Sequence, residues 1–295
     1  KINAFPYFMT FPTILLLVFL TIFPLIFNVY FSFTDYYYLS PGNINLVDIK
    51  NYSNIFKDIY FQQALFNTFK FTVLAVIFET ILGLIAALFI NNLKSGKRSM
   101  RTIFLLPTLL PPVTVALIWQ IMLSNNYGII NKMLSFIRIG EVNWLMDVKT
   151  AFYSILVIDI WQYVPFTFLL IYASLQTVPR VQYEAATIDG AGFWHQFIFV
   201  TIPNILNGII MVILLRTIDT FRLFDKVNIL TKGGPANSTA TITQYIYQYG
   251  VKGLKVGYGS AGAVVMTVII LILASLYVKK SFSKESAAVK RYKRG

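Results

Sequence analysis

The 295-residue sequence contains no cysteine, one histidine and few charges: 13% of its residues are Asp, Glu, Lys or Arg, and the acids number 12. Each shortage removes a class of function. Without cysteine there is no disulfide framework and no thiolate metal or redox centre. One histidine and scattered carboxylates leave little material for acid–base catalysis, so His195 reads as a docking or interfacial residue and no metal site is expected. There is also no G-x-x-x-x-G-K-[ST] loop to cradle phosphates. The Gly96-Lys97 pair is followed by Arg98 and has no glycine five residues before it. A chain without that loop is not an ATP-driven engine by itself. Soluble domains carry about 25% charged residues, so the shortage of charge points away from an aqueous surface.

What is present fits that direction. The composition is 57% hydrophobic and the mean hydropathy is +0.66. The net charge of +13 would suit nucleic acid if it formed a soluble patch. Instead the basic residues lie mostly at the ends of apolar segments, as in membrane proteins.

A membrane-crossing helix needs about 20 predominantly apolar residues. Six such stretches are predicted: residues 13–33, 66–91, 102–123, 151–176, 204–224 and 260–278. The first is longer than a signal-peptide core and is followed by no A-x-A-like cleavage site, so it is expected to be a retained anchor. Lys94, Lys97, Arg98 and Arg101 crowd the link between the second and third spans, and Lys279, Lys280, Lys284, Lys290, Arg291, Lys293 and Arg294 follow the sixth. Six spans put that link and that tail on one side, which the positive-inside rule makes cytoplasmic, with both termini. Residues 34–65, 124–150 and 225–259 then face outward.

Between the fourth and fifth spans lies "YEAATIDGAGFWHQFIFVTIP" (Tyr183–Pro203), amphipathic where its flanks are apolar. Pro179 suits the first position of a helix, and Gly190 and Gly192 permit a sharp turn. Phe193, Trp194, Phe197 and Ile198 then give a second short apolar face. The expected result is a helical elbow over 179–203 at the cytoplasmic surface, with acids on one side and aromatics on the other. An interfacial elbow with aromatics among lipid headgroups has the same pattern.

The spelling of this insert is more specific than its pattern. Glu184-Ala185-Ala186, three residues, Gly190, nine residues and Val200-Thr201-Ile202-Pro203 closely resemble the EAA loop of bacterial ABC importer permeases, E-A-A-x3-G-x9-I-x-L-P. "FPLIFNVYFSFTDY" (Phe23–Tyr36), "FLLPTLLPPVTVALIW" (Phe104–Trp119), "IWQYVPFTFLLIYASLQTVP" (Ile160–Pro179) and "FRLFDKVNILTKGGPANST" (Phe221–Thr239) are similar to carbohydrate-type permeases of that family. They look like the first of the two paired subunits, the maltose/glycerol-phosphate type. The resemblance implies an all-α integral membrane fold, a six-helix type I importer core in one domain over 1–295. It implies a bacterial inner (cytoplasmic) membrane location and these partners: a second homologous permease, two ABC ATPase subunits and an extracytoplasmic solute-binding protein. Membrane lipid surrounds the spans, and no nucleic acid is involved. It implies no cofactor on this chain, since ATP and Mg would be bound by the ATPases. It further implies that Glu184, Ala185, Ala186, Asp189, Gly190 and Phe193 couple to the ATPase.

Ionisable residues inside spans are costly and usually face an interior or a cavity. Glu79, Asp159, Arg216 and Asp219 are such residues. Asp159, Gln162, Tyr163 and Phe166 share one helical face, and Arg216, Asp219, Thr220 and Leu223 another. Asp159 and Arg216 fall at equal depth, so they are expected either to pair structurally or, with Gln162, Tyr163, Asp219 and Thr220, to line a substrate path. An Arg216–Asp219 pair along one helix is the other structural option. By count from Glu184, the resemblance places the family's sugar-contacting positions near Asp159, Tyr163, Arg216 and Thr220. Trp161 can offer a further aromatic face, Trp119 and Gln120 are weaker candidates, and Glu79 is read as a polar tie between helices. The function expected is ATP-driven import of a sugar or oligosaccharide. The alternatives are a self-sufficient secondary transporter, which would show inverted repeats, a membrane scaffold, or import of an anionic glycerol-phosphate or uronic-acid ligand.

Overall fold

The computed structural model describes residues 5–40, 42 and 44–292. Among the described residues the chain is helical, apart from an isolated β-bridge between Thr34 and Leu46. The predicted spans correspond to α1 (Phe5–Ser32), α3 (Ile59–Asn92) after a short α2 (Lys50–Lys57), the pair α4 (Lys97–Leu109) and α5 (Pro112–Met122), α7 (Ala151–Gln176) after α6 (Ile129–Phe136), α10 (Ile202–Phe221), and α13 (Val256–Tyr292). The elbow is α8 (Arg180–Ile188) and α9 (Phe193–Gln196), the latter running through a π-helical turn, Phe197–Thr201, into α10. Beyond α10 lie α11 (Asp225–Leu230) and α12 (Ile242–Ile246), which continues as a π-helical turn, Tyr247–Lys252. Among the described residues five helices are long and apolar enough to cross a membrane, and six if the bent α4–α5 pair counts as one.

That pair falls on the expected third span, residues 102–123, and is bent. Its two halves meet at 89°. The cause is local. Pro111 and Pro112 supply no N–H, and a residue before proline is pushed out of the helical region. Leu110 accordingly has φ −77° and ψ 135°. Pro112 then restarts a helix in its first turn, where the missing N–H costs nothing. The freed carbonyl of Leu110 accepts a hydrogen bond from Gln162 Nε2 at 2.9 Å.

The chain forms two compact units. One holds residues 1–62 and 242–269. There Asn51 Nδ2 donates to the carbonyls of Ser32 (3.0 Å) and Thr34 (2.8 Å), satisfying the frayed end of α1. Asn45 donates from its backbone and its side chain to Asp35, which holds that carboxyl below its ordinary value. The Tyr245 hydroxyl donates to Asp58 Oδ2 at 2.5 Å. No side chain of the Met9–Ser32 stretch is buried in its apolar window.

The other unit, residues 63–241 and 270–295, is built around α7. Fifteen of its residues are buried, among them Phe152, Ile155, Ile158, Phe168 and Ile171. One apolar cluster joins Phe71 and Ala75 of α3, Val115 of α5, Ile155 of α7 and Val227 of α11; a second joins Ala87, Phe168, Ile171, Ile205 and Val212. Water does not drive helices together inside a bilayer, so close approach and polar ties matter more. Gly83 of α3 lies directly against Thr167, and Gly208 of α10 against Ser174. The Thr167 hydroxyl also donates to the Glu79 carbonyl at 2.8 Å. These contacts bring α3, α7 and α10 near enough for their charged side chains to meet.

Candidate functional site

The charges meet at Arg216, which is 1% exposed. Its guanidinium grips Glu79 with two bonds, Nε to Oε2 at 2.6 Å and Nη2 to Oε1 at 3.0 Å. The same Nη2 reaches Asp159 Oδ2 at 3.1 Å, and Nη1 reaches Asp219 Oδ2 at 3.5 Å. The other oxygen of Asp159 is bound by the ammonium of buried Lys226. The ring of Tyr163 lies under both cations, 3.8 Å from the guanidinium carbon and 4.5 Å from the Lys226 nitrogen. Glu79, Asp159, Arg216 and Lys226 thus form a closed set of two carboxylates and two cations from α3, α7, α10 and α11.

Such a set persists in a dry interior only because each charge is neutralised. Both structural pairs expected of Arg216 therefore occur together, with Asp159 and with Asp219. Glu79 is indeed a tie between helices, but it is not remote from the other charges: it is the bidentate partner of Arg216. Lys226 was expected in an outer loop and is 1% exposed. Its signal was the apolar residues close on both sides of Asp225-Lys226, Leu223 and Phe224 before and Val227, Ile229 and Leu230 after, of which Val227 and Leu230 are buried in α11. Lys70, inside the predicted second span, was also passed over. Its ammonium lies 4.5 Å from the Phe152 ring and donates to the Tyr153 hydroxyl.

A small polar cavity of about 80 Å³ opens beside this cluster, lined by Asp159, Tyr163, Arg216, Asp219 and Thr220 together with Pro112 of the bend. Irregular backbone at membrane depth is tolerated where it is buried or lines a cavity, which is where the Leu110–Pro112 break lies. Of the expected path residues, the structure brings these five together. It turns Gln162 away to the Leu110 carbonyl. The Thr220 hydroxyl is bonded within its own helix, to the carbonyls of Arg216 and Thr217. Trp161 stacks edge-on against Trp119, and Gln120 donates to the Ile229 carbonyl.

At the other end of α7 is the elbow. Helix α8 buries no residue. Glu184, Ala185, Asp189, Gly190 and Phe193 are exposed, and Ala186 is half-buried. Pro179 precedes the helix rather than opening it, with ψ 128°. Gly190 makes the turn at φ +76°, a conformation that suits glycine. The elbow is tied from beneath: the Tyr183 hydroxyl meets Thr201 Oγ1 at 3.0 Å, Gln196 donates to Thr187 Oγ1 and the Ala191 carbonyl, and Asn204 donates to Gln182 Oε1. His195 lies against the Phe199 ring. The result is a stiff, exposed projection with no contact to cover its outer face among the described residues of α8.

The unit thus joins an exposed elbow between two spans to a bent third span and a buried charge set. Residues 79–279 match the model of the binding-protein-dependent transport system inner membrane component family. The chain belongs to this family. It is a multi-pass membrane transport subunit, a permease and not an enzyme. The family's members include the trehalose/maltose transport system permease protein MalF of Thermococcus litoralis, 36% identical over 233 residues, 79% of each chain. The sulfoquinovosyl glycerol transport system permease protein SmoG of Agrobacterium fabrum is 34% identical, over 91% of this chain and 87% of its own. Among solved structures, a bacterial ABC transporter that imports the acidic polysaccharide alginate superposes with a TM-score of 0.83 at 23% identity, over 95% of this chain and 96% of that one. That likeness supports the type I importer fold.

Proposed function

We propose that this permease carries a sugar or oligosaccharide inward, powered by ATP hydrolysed on partner subunits. It forms one half of a two-permease pore, with two ATPase subunits at the cytoplasmic face and an extracytoplasmic binding protein delivering the solute. The observation that carries this reading is the elbow. A helix with no buried residue, held rigidly by hydrogen bonds beneath it, is a lever arm awaiting a partner. Glu184, Ala185, Ala186, Asp189, Gly190 and Phe193 are its contact set. The names of the relatives, trehalose/maltose and sulfoquinovosyl glycerol among them, support a carbohydrate as cargo. Dependence on a binding protein argues against a self-sufficient secondary transporter. The charge distribution in the sequence supports cytoplasmic termini.

Asp159, Tyr163, Arg216, Asp219 and Thr220 line the substrate path where it narrows, and Gln162 supports it through the bend. ATP and Mg belong to the ATPases, and this chain needs no cofactor. The experiment is uptake of a panel of labelled sugars into proteoliposomes holding the complete importer and its binding protein. Uptake of a sugar that requires ATP is expected. Uptake driven by a proton or sodium gradient without ATP, or transport of no sugar at all, overturns the reading.

A further inference from the structure

A cleft of about 720 Å³ lies apart from the buried charges, at the opposite end of α7 from the elbow, between the segment after α5 and the end of α11. Its polar groups are the amides of Gln120, Asn125 and Asn126, the hydroxyls of Ser124 and Thr231, and the phenol of Tyr127. No Asp, Glu, Lys, Arg or His lines it. Tyr127 is 64% exposed, so its ring face is open. Ligand pockets occupy about 300–1,000 Å³ and combine apolar walls with a few placed polar groups. The cleft is of that size; the cavity at the charge cluster, at about 80 Å³, is far below it.

Helix α11 joins the two. Asp225 and Lys226 at its start line the small cavity, and Leu230 and Thr231 at its end line the cleft. The small cavity is lined by three acids, Asp159, Asp219 and Asp225, and three bases, Arg216, Arg222 and Lys226, with Glu79 behind Arg216 as a fourth acid. There is therefore no net positive charge to receive an anion. Arg216 spends donors from each of its three nitrogens on Glu79, Asp159 and Asp219, and an anion displacing Glu79 would strand a buried carboxylate.

Resting on the sugar-import reading above, we infer that the cleft is a binding site for an uncharged oligosaccharide at the mouth of the path, and that the path beyond it disfavours anionic sugars. Amides and hydroxyls donate to and accept from sugar hydroxyls, and the Tyr127 ring packs on a sugar's C–H face. A charged sugar finds no counter-ion in the cleft and a cluster without net positive charge beneath.

The test uses the assembled transporter in lipid nanodiscs without the binding protein, with maltotriose and trigalacturonate as neutral and anionic probes, read by saturation-transfer-difference NMR. Maltotriose binds and trigalacturonate does not. Tyr127→Ala and Asn126→Leu, both on exposed residues, each weaken maltotriose binding, by up to about tenfold for one lost contact, while assembly and basal ATP hydrolysis stay at wild-type level. Equal or tighter binding of trigalacturonate overturns the uncharged class. No binding of either probe to the wild type, or binding that both variants leave unchanged, overturns the cleft. Uptake by the complete importer is measured in parallel. If sugars are carried and the variants carry them at the wild-type rate, only the cleft fails; if no sugar is carried, the import reading itself fails.

Discussion

Arg216 shows how one buried residue can hold several charges of a fold together. Its truncation leaves Glu79 and Asp159 competing for the charge of Lys226. Breaking a buried pair by removing one partner costs about 3–5 kcal/mol, whereas replacing both partners by apolar groups of similar volume is often neutral. Arg216→Met should therefore lower the yield and thermal stability of the complex in detergent. Glu79→Leu combined with Arg216→Met should recover much of that loss, because Asp159 and Lys226 remain a matched pair. Size-exclusion profiles after graded heating check this. A double variant no more stable than Arg216→Met alone would show that the ion pair does not set the stability. Tyr163→Ala is a poor probe of the path, since it also uncovers both cations. Thr220→Val keeps shape and charge and removes a hydroxyl at the cavity wall. The sequence exposed four of these charges as misfits inside apolar runs. It did not expose their partnership, because which of two acids an arginine grips depends on how closely α3 and α10 each approach α7, and that is set by small residues such as Gly83 and Gly208.

Among the elements, the bend and the elbow were legible to different degrees. The elbow's turn follows from Gly190 and its spelling, so its position was read correctly to within a residue or two. The third span read as continuous because hydropathy counts residues and not backbone donors; the Pro111-Pro112 pair carried the break. Gln162 is the visible support of that break. Gln162→Leu should leave the Leu110 carbonyl without its partner, at a cost of about 0.5–1.5 kcal/mol for a lost, partly buried hydrogen bond. A fall in thermal stability with sugar preference retained is expected; altered preference at unchanged stability would make Gln162 a ligand rather than a support. The elbow makes a separate prediction. Glu184 is exposed and makes no contact that stabilises the fold, so Glu184→Lys should insert and assemble on the membrane. It should lower substrate-stimulated ATP hydrolysis in proteoliposomes, because a charge-assisted contact to a partner becomes a repulsion. Wild-type stimulation and uptake in that variant would remove Glu184 from the coupling surface.

At the scale of the whole molecule, the number and order of spans were readable because a bilayer demands length and apolarity and little else. The division into two units was not, since residues 242–269 join residues 1–62 through contacts such as Tyr245 to Asp58 that leave no periodic trace. Orientation is the property on which the functional reading depends most, because the elbow must face the compartment that holds ATP. By the positive-inside rule, the basic residues in the link around Lys94–Arg101 support a cytoplasmic position for that link and for the elbow. The absence of cysteine makes a direct test clean. Ser95 lies in the link between α3 and α4, and Asn126 lies in the exposed segment after α5; Asn45 and Gly96 are avoided, since one holds Asp35 and the other has φ +76°. Asn126→Cys should react in intact cells with a membrane-impermeant maleimide, and Ser95→Cys only after permeabilisation. The reverse pattern would put the elbow outside, where no ATPase could reach it, and would leave the α8–α9 elbow as a lipid-headgroup anchor with the aromatic face of α9, Phe193 and Trp194 included, buried in the interface.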